Sequence, residues 1–212
     1  MNTQMNTQSF LHRIKGLLLS PQSEWRVIAD EPASLQSIYR EYVLILALIP
    51  AACGFLSGVY RGWIVPNVHY YPIGPIRGLG YAVVSYALSV VAVFIFSAVI
   101  DLLAPTYGGR RHPVQALKAA AYSYTGIALG GLASLFVWLG FVVALAGLAY
   151  SIFLLNTGLA HTMRSDPDRN AAYTAVTIVI GLLLTWGVGS IVRAVVGFGM
   201  FGPWGPFGAH GL

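Results

Sequence analysis

Hydrophobic and polar positions divide this chain into long apolar runs separated by short polar punctuation, and the longest run organises the rest. From Ala119 to Ala160 there are forty-two residues without one Asp, Glu, Lys, Arg or His. As a single helix rising about 1.5 Å per residue the run would be roughly 63 Å long, twice the ~30 Å hydrocarbon core of a bilayer. It must fold back on itself. Trp138-Leu139-Gly140-Phe141 is the expected turn, because Gly140 loosens the helix and Trp138 and Phe141 favour the membrane interface. The pattern predicts two antiparallel spans, 117–138 and 141–160.

Three further runs read as spans: 42–60, 79–104 and 171–198, the last interrupted only by Arg193, which lies close enough to its end to reach the headgroups. The expected fold is all-α, a polytopic membrane protein with five transmembrane helices. Gly54 and Gly58 lie four apart in the first span, Gly126 and Gly130 in the third, and Gly181 and Gly189 belong to a four-residue repeat with Thr177 and Thr185 in the fifth. Small residues at this spacing let helix backbones approach closely, so all six glycines are assigned to helix packing.

Residues 1–41 are read as a cytoplasmic tail with short amphipathic interfacial helices. Phe10, Leu11, Ile14, Leu17 and Leu18 recur at helical spacing with His12, Arg13 and Lys15 between them, a pattern that lies on a membrane rather than across it. Ser20-Pro21 restarts the helix, Ser20 as the expected N-cap, and Trp25 and Ile28 share one side. The five-span domain is placed at 42–199, and 200–212 is a Gly- and aromatic-rich end outside the cytoplasm.

Composition agrees: 57% of residues are hydrophobic, only 9% are charged, and mean hydropathy is +0.70, against about 25% charged residues in a soluble domain. Nine of the twelve basic residues fall on the N-terminal side of the expected spans, which orients the N-terminus to the cytoplasm and the C-terminus away from it. Dispersed charge of this kind argues for topology and against a nucleic-acid partner. Cys53 is the single cysteine, so disulfides within the chain are excluded.

Leu19-Ser20-Pro21 with Glu24-Trp25 and Ile28, and Leu48-Ile49-Pro50-Ala51 in the first span, resemble the opening of bacterial members of the Yip (Ypt-interacting protein) family. Ala116-Leu117-Lys118-Ala119-Ala120-Ala121-Tyr122-Ser123-Tyr124-Thr125 is similar to that family's entry to its third span, and Gly147-Leu148-Ala149-Tyr150 with Asn156-Thr157-Gly158-Leu159 to its fourth. Gly126 stands where that pattern has proline. The resemblance implies five spans, a cytoplasmic N-terminal region and no enzymatic activity. The Rab-type GTPase binding of eukaryotic relatives is not transferred, because this N-terminal segment is short.

The residues carry no pair of catalytic carboxylates, no Ser/His/Asp set and no His-Glu zinc-protease spacing, so no catalytic residue, metal or cofactor is assigned. The expected function is a non-enzymatic membrane scaffold or organiser of protein or lipid partners in the bacterial inner membrane, with possible self-association; the alternative is a small-solute, ion or lipid transporter. If the hairpin turns near Gly140, Tyr122 and Ser123 share a membrane depth with Asn156, and Asp101 at the cytoplasmic end of the second span reaches a similar level, with Lys118 and Arg111 as countercharge. Asp101, Tyr122, Ser123 and Asn156 are therefore the candidate ligand-binding residues of a cytoplasm-facing pocket.

Overall fold

The computed structural model describes residues 7–61, 74–135 and 140–195, and their regular structure is helical throughout. Prolines set the starts. Pro21, Pro75, Pro113 and Pro167 each occupy the first turn of a helix, where a missing N–H costs nothing. The helices are α1 (Thr7–Leu19), α2 (Pro21–Asp30), α3 (Leu35–Ile38), α4 (Leu44–Arg61), α5 (Pro75–Leu103), α6 (Pro113–Gly130), α7 (Gly140–Thr162) and α8 (Pro167–Arg193). A π-helical turn, Tyr39–Val43, joins α3 to α4, and a 3-10 turn, Gly131–Leu135, extends α6. Ser20 holds the N-cap position of α2 without a capping side-chain bond, contrary to its expected role. A reciprocal Ser34 and Ser37 box opens α3 instead.

α6 and α7 form the most extensive helix pair. A Cβ placed on Gly126 would meet Gly147 O at 2.6 Å and Ser151 Oγ at 2.6 Å, so the two backbones touch there. The turn between them, at 136–139, lies outside the described residues, and Gly140 opens α7. α5 packs on α4, α6 and α8, while α2 lies on α7 and touches α6, with α1 packed on α2. α6 is thus enclosed: Ala116 to Ser123 is an unbroken buried stretch.

Among the described residues four helical segments are long and apolar enough to cross a membrane: Leu35–Val59, Pro75–Tyr107, Gly140–Thr162 and Pro167–Arg193. α6 falls short because Gln115, Lys118, Tyr122, Ser123, Tyr124 and Thr125 lower its hydropathy, and it tolerates them because protein rather than lipid surrounds that stretch. Lipid-facing character belongs to the outer helices, where Val83, Val91, Phe94, Val179, Leu182, Leu183 and Trp186 stand exposed. The two short N-terminal helices are present as expected, and one face of them packs on protein. Leu17, Trp25 and Ile28 are buried in the protein core, and Leu11, Leu18, Leu19 and Val27 are the apolar side chains left outside.

Candidate functional site

Polar side chains are concentrated in three places near one end of the bundle, and the largest group fastens α1 and α2 to α6 and α7. Lys118 is 2% exposed. Its ammonium donates to the carbonyls of Ile28 and Glu31, both at 2.6 Å, which are among the groups that the end of α2 leaves without helical partners. Gln115 Nε2 donates to the neighbouring Ala29 carbonyl at 2.9 Å. Tyr150 does the corresponding work for α1: its hydroxyl lies 2.8 and 3.0 Å from the carbonyls of Leu17 and Leu18.

Arg13 ties the two short helices together by pairing with Glu24 at 2.6 Å and with Glu31. Its guanidinium also stands over the Tyr122 ring, 5.8 Å from the centroid. Burial opposes the Arg13 charge, but Tyr122, Glu31 and Glu24 outweigh that penalty and hold its pKa above the ordinary value. Beneath it Trp25 meets Tyr122 edge-on at 6.2 Å and lies against Gly158, where any side chain would collide with the indole. The π-helical turn aims Tyr42 inward, so that its ring packs 4.5 Å from Tyr122 and its hydroxyl is 2.6 Å from Thr125 Oγ1.

The second group lies at the end of α5. Asp101 is 6% exposed, and its Oδ2 accepts from Arg111 Nε at 3.1 Å, while Oδ1 is buried with no hydrogen-bond partner. Two turns close over this end: Arg110 N–H donates to Met163 O and Asp166 N–H to Tyr107 O, each at 3.1 Å. Tyr107 stacks on Tyr173, which donates to Ile100 O at 2.5 Å. In the third group Asn156 Nδ2 donates to Thr174 Oγ1 at 2.9 Å, Asn170 Nδ2 to Asn156 O at 3.0 Å, and Ser165 to Asn170 Oδ1 at 2.6 Å.

The four sequence-predicted ligand residues are therefore divided rather than gathered. Asp101 belongs to the α5 end, Tyr122 to the N-terminal fastening and Asn156 to the α7–α8 contact. Ser123 donates within its own helix to Ala120 O. Among the described residues no hydrogen bond joins any two of them. Arg111 supplies the expected countercharge to Asp101, but Lys118 is committed to α2. Sequence reasoning missed the Arg13, Glu24 and Glu31 set, although Arg13, between Phe10 and Leu17 on the apolar face of α1, was a signal for it. The part played by Gly147, Gly158 and Tyr150 was missed as well.

The expected packing glycines also separate. Gly126 and Gly130 lie against α7, Gly181 meets the Phe96 ring, Gly54 lies near Tyr81, and Gly58 is buried in α4. Among the described residues, the side chain that comes within 4 Å of where a Cβ on Gly189 would stand is that of Arg193, on the same helix.

A Yip1 domain family model matches residues 15–189. Inner membrane protein YohC of Escherichia coli strain K12 is 27% identical over 176 residues, which cover 82% of this chain and 90% of that protein; YohC of Escherichia coli O6:H1 strain CFT073 matches to the same extent. No solved structure matches the chain.

Proposed function

The chain belongs to the Yip1 domain family and is a membrane protein of that family, and from this premise we propose that it is a non-enzymatic scaffold of the bacterial inner membrane, holding protein or lipid partners at the cytoplasmic surface. The observation that carries the reading is the fastening of α1 and α2 by Lys118, Tyr150 and Trp25. A buried lysine and a mid-helix tyrosine are spent on holding two short helices in one place, which leaves Leu11, Lys15, Leu18, Leu19, Arg26 and Val27 exposed as a fixed outer face.

Much of the remaining polar equipment also serves cohesion. Thr125, Thr162, Thr174 and Thr177 all donate to carbonyls of their own helices. Lipids and a second membrane protein, or a second copy of this chain, are the partners this face suits. In this reading α6 and its 3-10 extension form a fifth span. Their eighteen and five residues reach about 37 Å at ~1.5 and ~2.0 Å per residue, with the N-terminus in the cytoplasm and the C-terminus outside. On this reading residues 1–41 are the cytoplasmic region and 42–199 the membrane domain; the expected outer end, 200–212, lies outside the described residues.

The orphaned oxygen of Asp101 favours the alternative, a transporter of a small solute, ion or lipid. Purification in mild detergent separates the two. A scaffold is expected to retain a partner in fixed stoichiometry and to lose it when the outer face is changed by Leu18→Ser and Leu19→Ser; saturable solute flux in reconstituted vesicles, unaffected by those changes, would overturn it.

A further inference from the structure

The carboxylate of Asp101 is paired on one side only. Oδ2 faces Arg111, whose side chain is 57% exposed, and Oδ1 is sealed from solvent without a donor. Buried carboxylate oxygens are ordinarily satisfied, so a half-satisfied one marks a place where a donor is wanted. The position sharpens the demand. Asp101 lies in the last turn of the twenty-nine-residue α5, toward the end of the helix where its dipole favours a positive charge.

Arg111 meets this demand poorly, through a single Nε contact from a solvent-exposed loop, an arrangement worth little and readily opened. A metal ion is a poor substitute, since no group of three or more His, Cys, Asp or Glu side chains gathers among the described residues. A primary ammonium fits better: it carries three N–H donors and one charge, and needs only oxygen acceptors. Asp101 lies near one end of the Pro75–Tyr107 segment, which is long and apolar enough to cross a membrane, and the neighbouring Leu102 is exposed on the outside of α5, so a lipid headgroup is the amine-bearing group expected near this end.

We infer that Asp101 seats the ammonium of an aminophospholipid headgroup, and that Arg111 is a tethered occupant which the headgroup displaces. The inference rests on the chain's place in a membrane protein family and not on the scaffold role. It makes an unusual demand of Arg111: removing the resident cation should strengthen lipid binding, whereas a merely structural ion pair predicts only lost stability.

The test measures thermal unfolding of the full-length protein in detergent while phosphatidylethanolamine is titrated in, with phosphatidylcholine, whose three N-methyl groups remove the donors, as the comparison. Phosphatidylethanolamine is expected to raise Tm saturably in the wild type and phosphatidylcholine to leave it unchanged. Arg111→Gln should bind phosphatidylethanolamine at least roughly fivefold more tightly, at the lower end of usual coupling strengths, and Asp101→Asn should abolish the shift. Should Asp101→Asn fail to fold, Arg111→Gln decides alone, because its side chain is exposed. Protection by free ethanolamine equal to that by the lipid would support the same seat with a soluble amine as occupant. Equal shifts with both lipids, or unchanged affinity in Arg111→Gln, would overturn the inference.

Discussion

At Lys118 a charge buried under two short helices is tolerable only because the carbonyls of Ile28 and Glu31 replace its water. Hydrogen bonds to a charged group contribute about 1.5–3 kcal/mol, and every ~1.4 kcal/mol is tenfold in an equilibrium. Lys118→Met keeps the length of the side chain and removes both bonds, so α1 and α2 should open at least roughly 10- to 150-fold more often, the value of one such bond alone. Trypsin reads this directly, because Arg13, Lys15 and Arg26 become its targets when the pair undocks; cleavage there should accelerate with α5, α7 and α8 left intact. An unchanged rate would mean that packing alone holds the hairpin. Such residues were legible to different degrees. Asp101 and Arg111 stand ten positions apart around one turn, so depth alone suggested their pairing. Lys118 meets a helix end some ninety positions earlier in the chain, and nothing local in the sequence announces that partner.

Among the elements, the α6–α7 hairpin was the most legible, because an uncharged run too long for one span has to turn. Which residues make the crossing was less so. Spacing within one helix identified Gly126 and Gly130, but close approach depends on the facing helix, and the tight point is Gly126 against Gly147. Gly126→Ala should force the backbones apart and cost about 1–3 kcal/mol, the usual penalty of overpacking. Gly130→Ala finds only ordinary contacts at 3.6 Å, and Gly187→Ala finds nothing within 4 Å. Thermal unfolding in detergent should therefore rank Gly126→Ala well below the wild type and leave Gly187→Ala beside it; equal melting of the two would mean that the hairpin relaxes around the added methyl. The N-terminal helices show the opposite limit of sequence reading. Their amphipathic pattern was plain, but periodicity reports an apolar face without saying whether lipid or protein meets it. In α2 protein does, through Trp25 and Ile28.

For the whole molecule the open quantity is the number of crossings, and it depends on α6. Hydropathy selects helices that face lipid, and α6 is packed against α2, α3, α4, α5 and α7, so its buried lysine and hydroxyls count against it although they are satisfied within the protein. The antiparallel pairing of Gly126 with Gly147 and of Gly130 with Ala144 decides what this means for topology. α7 is long and apolar enough to span, and the proposed reading has α6, lying antiparallel along it, cross in the other direction. On the proposed five-span reading α6 is the fifth crossing, and the ends of the chain are expected on opposite sides. Arg110, Arg111 and Arg164 lie on the turns at one end of the bundle and Arg169 in the first turn of α8, so by the positive-inside rule the proposed reading has that end in the cytoplasm. A fluorescent reporter that matures only in the cytoplasm should then be dark when fused after Leu212 and bright when inserted after Arg164. A substituted cysteine at Arg164, in a Cys53→Ser background, should in turn resist an impermeant thiol reagent added to intact cells. A bright fusion at Leu212 with the Arg164 results unchanged would remove one crossing from the C-terminal side of the bundle, and α8 rather than α6 would then be the helix that fails to span.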